Sequence, residues 1–166
     1  MSLLTEEVRS HIGRTVTYTA PEELGRASFR YFARAVGDDD PRATDVDAAR
    51  AAGYADVIAP ATFVCETNQY LDGRPDAEGY IGHSWDIVIP GTRMIRGGHE
   101  YEFHQPVHPD VVLTVAWTVE DIFAKAASDG RELVFVISLA TYHDQHGAVL
   151  ATNRETLIYQ ELPGDR

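Results

Sequence analysis

The stretch "VGDDDPRATD", residues 36–45, puts four aspartates and one proline into ten residues. A carboxylate in such a turn has two uses. It can act as a general base and take a proton from an attacking water. It can also close a turn or cap a helix end, because an Asp side chain reaches the backbone two residues on. Residue types alone leave both uses open. Further along, Arg93 and Arg96 lie close together in "RPDAEGYIGHSWDIVIPGTRMIR". They could make a small anion-binding spot suited to a phosphate-bearing small molecule. Two solvated surface arginines are the plain alternative.

Other reactive side chains are scattered. His83, His99 and His104 lie in or beside the segment that leads into the first long strand, and each could supply an imidazole near the acidic turn. His108, His143 and His146 lie in or next to expected turns, where histidines are exposed. No His-x-x-x-His pair falls on an expected helix and no cysteine cluster exists, so no metal site is expected. Cys65 stands between apolar neighbours and reads as a small buried hydrophobe rather than a nucleophile. Tyr31 and Phe32 read as core. There is no Gly-x-Ser-x-Gly elbow, and "GGHE" is too weak to imply a nucleotide site.

The elements that must carry these residues follow from periodicity. Residues 22–36 repeat at helical spacing, with Leu24, Ala27, Tyr31 and Ala35 on one stripe and Phe29, Phe32 and Val36 widening it. Gly37 and Pro41 end that helix. A short helix is expected at 46–52, closed by Gly53. A third, at 57–71, has its proline near the start, where a helix tolerates one. About 20 residues rich in Gly, Pro and Asp follow, with room for a short strand near 85–89; loops this long in small domains are uncommon and often functional. From Gly98 onward the period becomes two. "HEYEF", "VVLTVAWTVEDIFAKA", "ELVFVISLATYHDQ" and "AVLATNRETLIYQ" read as four long strands. The last three are joined through "SDGR" and "QHGA", both hairpin turns. The expected fold class is α+β: helices first, then an antiparallel meander. "VFVISLA" and "VVLTVAW" are apolar at nearly every position, which predicts strands buried on both faces and favours a dimer.

With 166 residues the chain suits a single domain with one core, about 13–160. A formal net charge of −12 sets it against nucleic acid and anionic membranes. No run of about 18 apolar residues predicts a membrane span. The acidic N-terminus does not read as a secretory signal. A single cysteine fits a reducing, cytoplasmic setting.

The segment "YFARAVGDDDPRATDVDAARAAGYADVIAPATF" resembles the signature of MaoC-like (R)-specific enoyl-thioester hydratases and dehydratases. That family runs Gly-Asp-x-Asn-Pro-x-His-x-Asp, then Gly-Phe, then Ile-Ala-His-Gly. Here Gly37, Asp38, Pro41 and Asp45 match. Asp40 stands for Asn, and Ala43 stands where the family has its catalytic His. Gly53-Tyr54 matches Gly-Phe, and Ile58-Ala59-Pro60-Ala61 replaces Ile-Ala-His-Gly. "EYEFHQPVHPDVVLTV" resembles a later family strand, with Pro109 in place of a Gly.

The resemblance implies a single hot-dog fold, in which a long central helix is wrapped by a curved antiparallel sheet. The long loop before the strands resembles that of N-terminal-type dehydratase domains and of the non-catalytic subunits of heterodimeric dehydratases. In that chemistry a base takes a proton from water attacking Cβ while the thioester oxygen is stabilised. The resemblance implies Asp38 as candidate base, the Ala61 backbone N–H at the thioester carbonyl, and Pro60 beside it without an N–H. It implies no cofactor, an acyl-CoA or acyl-carrier-protein thioester as substrate, and a homodimer or a heterodimer with a catalytic hot-dog subunit in fatty-acid-type metabolism. Three functions stay open: a non-catalytic acyl-thioester-binding subunit, a self-sufficient homodimeric enoyl-CoA hydratase using Asp38, and a hot-dog thioesterase.

Overall fold

A computed structural model describes residues 2–64 and 83–162. In chain order it holds α1 (Glu6–Arg9), β1 (Thr15–Thr19), α2 (Arg26–Val36), a 3₁₀ turn (Pro41–Ala43), α3 (Val46–Ala51), β2 (Thr92–Phe103), β3 (Thr114–Ala126), β4 (Glu132–His143) and β5 (Val149–Glu161). The five strands form one antiparallel sheet in the order β1-β3-β4-β5-β2. The α+β class is as the sequence predicts. Among the described residues no helix is long and apolar enough to cross a membrane.

Strand order departs from a simple meander. β3, β4 and β5 are joined by hairpins and pair in succession, but β2 pairs with β5 instead of β3. Hydrophobic period sets which face is buried; it does not choose the neighbour. β2 also begins at Thr92, six residues before the expected Gly98. β1 has no counterpart in the expected elements. It is short, and is held to β3 partly through threonine pairs, with Thr15 Oγ1 3.0 Å from Thr118 Oγ1 and Thr19 Oγ1 3.1 Å from Thr114 Oγ1.

The expected strand at 85–89 does not form. Trp85, Ile87 and Ile89 are buried in alternation, yet the segment joins no ladder, and Asp86 sits at φ 54°. Alternation there reports packing onto the core without strand pairing. The runs expected to be buried on both faces instead alternate. Val115, Trp117 and Val119 of β3 and Val134, Val136 and Ala140 of β4 face the core, while most residues between them are half-buried.

α2 starts at Arg26, not at residue 22. Leu24 N–H donates to Val111 O (3.0 Å) and Gly25 N–H to Pro109 O (2.8 Å), which holds this stretch against the loop before β3. Gly25 at φ 75° then turns the chain into the helix. The buried face is Phe29 and Ala33, with Phe32 partly buried, so the predicted Ala27–Tyr31–Ala35 stripe faces solvent. Tyr31 is 63% exposed, against the expectation of core, and the Arg30 guanidinium lies over its ring. Residues 57–60 form no helix, and a 3₁₀ turn covers 61–64. The remainder of the expected 57–71 helix, with Cys65, falls outside the described residues.

Candidate active site

The acidic turn begins where α2 stops. Gly37 takes the left-handed conformation, φ 72°, and its N–H donates to Ala33 O. Asp38 N–H also reaches Ala33 O at 2.8 Å. The aspartates then divide the work. Asp38 Oδ1 accepts from Asp40 N–H (2.9 Å) and closes the turn. Asp40 caps the 3₁₀ turn by accepting from Arg42 N–H (2.9 Å) and clasps the Arg42 guanidinium (Nη2 to Oδ2, 2.5 Å). Those hydrogen bonds hold the Asp40 carboxyl below the usual carboxylate range. Asp45 caps α3, accepting from Asp47 N–H at 2.8 Å and Ala48 N–H at 3.3 Å. The turn is therefore structural at Asp40 and Asp45, while half-buried Asp38 also faces a cavity.

That cavity, about 480 Å³, brings Asp38, Ala43, Pro60 and Ala61 together. Its walls are stitched by backbone. Ile58 N–H donates to Arg42 O (3.0 Å) and Ala59 N–H to Val107 O (2.9 Å), so three separate segments meet around it. Phe63 N–H donates to Pro60 O at 2.9 Å, which closes the turn at 61–64. Ala61 opens that turn, and the first N–H groups of a helical turn have no acceptor within it. Ala43 is 3% exposed, sealed into the wall with no titratable atom. Arg42 and Gln105 also line the cavity, and periodicity singles out neither.

Of the three histidines that could supply an imidazole, only His104 lines this cavity. Its Nδ1 lies 3.8 Å from Glu102 Oε1. His83 is packed elsewhere: it stacks on Trp117 at 4.9 Å, meets Trp85 edge-on at 4.2 Å, and its Nδ1 is 2.9 Å from Tyr18 Oη. Burial, with Arg14 nearby, pushes its pKa down to about 4, so at neutral pH it is an uncharged core ring. His99 lies against Asn153 and Glu155. His108 and His143 are half-buried, not exposed as expected; His146 is exposed.

Arg93 and Arg96 do not converge. Three residues apart on β2, they point to opposite faces. The Arg93 guanidinium donates to Gln160 Oε1, while Arg96 Nη1 lies 3.5 Å from Glu155 Oε1. Neither lines the Asp38 cavity. Asn153 and Glu155 are not among the residues that the sequence picks out. The available signal is two polar residues at odd, core-facing positions where the other odd residues of the strand's middle, Ala151, Leu157 and Tyr159, suit an interior.

Comparison with known proteins bears on family and fold. Residues 10–153 match the family model described as FAS1-like, dehydratase domain region. A UPF0336 protein of Streptomyces avermitilis is 38% identical over 150 residues, covering 90% of this chain and 93% of that one. The C-terminally truncated HadBC (3R-hydroxyacyl-ACP dehydratase) complex of Mycobacterium tuberculosis superposes with TM-score 0.60 at 23% identity, over 87% of this chain and 96% of that chain. A MaoC-like dehydratase from Rhodospirillum rubrum gives TM-score 0.63 at 21% identity, over 92% and 94%. The architecture is the hot-dog fold.

Proposed function

The chain belongs to the FAS1-like dehydratase domain family, and on that premise we propose that it is the acyl-thioester-binding, non-catalytic subunit of an (R)-specific enoyl hydratase or 3-hydroxyacyl dehydratase. The observation that carries this reading is Ala43. It lies buried in the wall of the cavity that holds Asp38, at the position where the resemblance places a catalytic histidine. Loss of one of two acid/base groups commonly costs about 10²–10⁴ in rate. What remains suits binding: a cavity with small side chains along one wall and the Ala61 N–H, at the start of the 61–64 turn, placed to meet a carbonyl oxygen. The partner is a second hot-dog chain bearing the full Asp/His motif, and the HadBC complex supports pairing of this kind. The substrate is an acyl-CoA or acyl-carrier-protein thioester.

One observation favours a second reading, a self-sufficient hydratase. His104 lines the same cavity as Asp38 and has Glu102 beside its Nδ1, an arrangement in which a third group orients the base. Hydration of a short enoyl-CoA separates the two readings, followed as loss of enoyl absorbance. The subunit reading expects the chain alone to be inert, activity to appear when an Asp/His-bearing chain is added, and Asp38→Asn to leave that activity in place. Activity of the chain alone that disappears in both Asp38→Asn and His104→Ala would replace it with the second reading.

A further inference from the structure

On β5, residues 151, 153, 155, 157 and 159 share the buried face of the sheet. Ala151, Leu157 and Tyr159 fit an apolar interior; Asn153 and Glu155 do not, yet they are only 2% and 6% exposed. The pairing places Ser138 of β4 on one side of Glu155 and His99 of β2 on the other. Polar residues therefore line up across three strands, buried at Ser138 and Glu155 and exposed at His99 on the edge strand β2. His99 Nδ1 is 3.3 Å from Asn153 Oδ1, and His99 Nε2 is 3.7 Å from Glu155 Oε1. Arg96 Nη1 approaches the same Glu155 oxygen at 3.5 Å. These are long separations for charge-assisted hydrogen bonds. Burial raises the Glu155 pKa, against the pull of Arg96 and His99. A carboxylate at this position carries a desolvation cost that an apolar residue of similar size would not.

A cavity of about 310 Å³ opens on this row. Trp85, Met94, Leu157 and Tyr159 form its apolar and aromatic walls, and Arg96 and Glu155 supply its charge. Trp85 is fixed in place by its Nε1–H, which donates to the buried Ser138 Oγ at 2.7 Å. The cavity shares no lining residue with the one at Asp38. Its size falls at the lower end of small-molecule sites.

We propose that this cavity is a second binding site, which takes a small apolar or aromatic body bearing one hydroxyl group. A hydroxyl both donates and accepts. It donates to Glu155 and accepts from Arg96, meeting both members of the pair from the cavity side. A carboxylate ligand would be repelled by Glu155, and a pure hydrocarbon would cover the charged pair without bonding to it. The site stands independently of any thioester chemistry at Asp38.

The probe pair 4-ethylphenol and 4-ethyltoluene tests this on the full chain, with the Trp85 indole N–H followed by NMR. The expected result is a saturable shift with 4-ethylphenol, at least tenfold tighter than with 4-ethyltoluene. Glu155→Gln should cut that preference below threefold, and Asp38→Asn should leave it unchanged. If Glu155→Gln does not fold, Met94→Trp, at a half-exposed wall position, should abolish binding by filling the cavity. Equal affinity for the two probes, no saturable shift, a preference that survives both substitutions, or one that depends on Asp38 would overturn the proposal.

Discussion

The cavity at Asp38 and the cavity at Glu155 are built by opposite means. The first is a meeting of turns. Backbone bonds from Ile58 to Arg42 and from Ala59 to Val107 hold its walls, and three of its marker residues, Ala43, Pro60 and Ala61, are small. The second is a product of strand register: Glu155, Leu157 and Tyr159 come from one strand, Met94 and Arg96 from its neighbour, and Trp85 from an unpaired segment laid over them. The charges differ as well. Asp38 is half-buried and accepts a backbone hydrogen bond, whereas Glu155 is buried among side chains. A turn-built site carries its identity in a short string of residues. A sheet-built site spreads over distant stretches and exists only once the strands have paired.

If the two sites are separate in this way, damage to one should spare the other. Phe29 is fully buried and meets Phe63 edge-on at 4.9 Å, tying α2 to the 61–64 turn beside the first cavity. Phe29→Ala should cost about 3–5 kcal/mol in urea unfolding. The 4-ethylphenol response at Trp85 should persist below the transition; its loss would mean that the two regions are mechanically one.

His83 belongs to the second region, and its effect should appear as pH dependence. Its folded pKa of about 4 lies below the ordinary 6.5. Above 6.5 both states are neutral and nothing is lost. As pH falls from 6.5 toward 4 the unfolded chain takes up a proton that the folded chain refuses, so stability drops, by about 3 kcal/mol at full effect. Glu155 acts in the opposite sense, because its raised pKa relieves the folded state as pH falls. Urea midpoints between pH 7 and 5 should decline for the wild-type chain and flatten in His83→Phe.

Ala43→His probes the first region. If the turn is a hydratase turn lacking its imidazole, the substitution should raise enoyl-CoA hydration by about 10²-fold over the unmodified chain. No gain in a folded variant would mean that residue 43 does not face the reacting carbon. The smallest effect should come from Asp40→Ala, which removes a cap at a cost of about 1 kcal/mol, read from the thermal midpoint. Because the folded pKa of Asp40 is depressed, its contribution is present above the unfolded value of 3.8 and lost as pH falls through the folded one. The variant should therefore lose stability at pH 7, and the loss should shrink as pH falls below 3.8.

Much of the first region is legible in the order of its residues. Gly37 as the end of α2 and the short helix after Asp45 follow from local chemistry, a left-handed glycine and an Asp cap, as do the tight hairpins at Gly130 and Gly147 elsewhere in the sheet. Local pattern fails where partners decide. Tyr31 fits the helical period of the core as well as Phe29 does, but α2 turns Phe29 inward and leaves Tyr31 beneath Arg30. Trp85, Ile87 and Ile89 alternate as a strand does, but no neighbour pairs with them.

The string from Gly37 to Asp45, its resemblance to a hydratase turn and the missing imidazole at Ala43 are properties of neighbouring residues, so they can be read along the chain. Two other facts cannot: that His104, and neither His83 nor His99, shares the cavity with Asp38; and that Glu155 lies buried between Ser138 and His99. Each of these depends on which strand lies beside which. The physical reason is that periodicity assigns a residue to a face, while only the pairing of β2 with β5, strands distant in the chain, assigns it a neighbour.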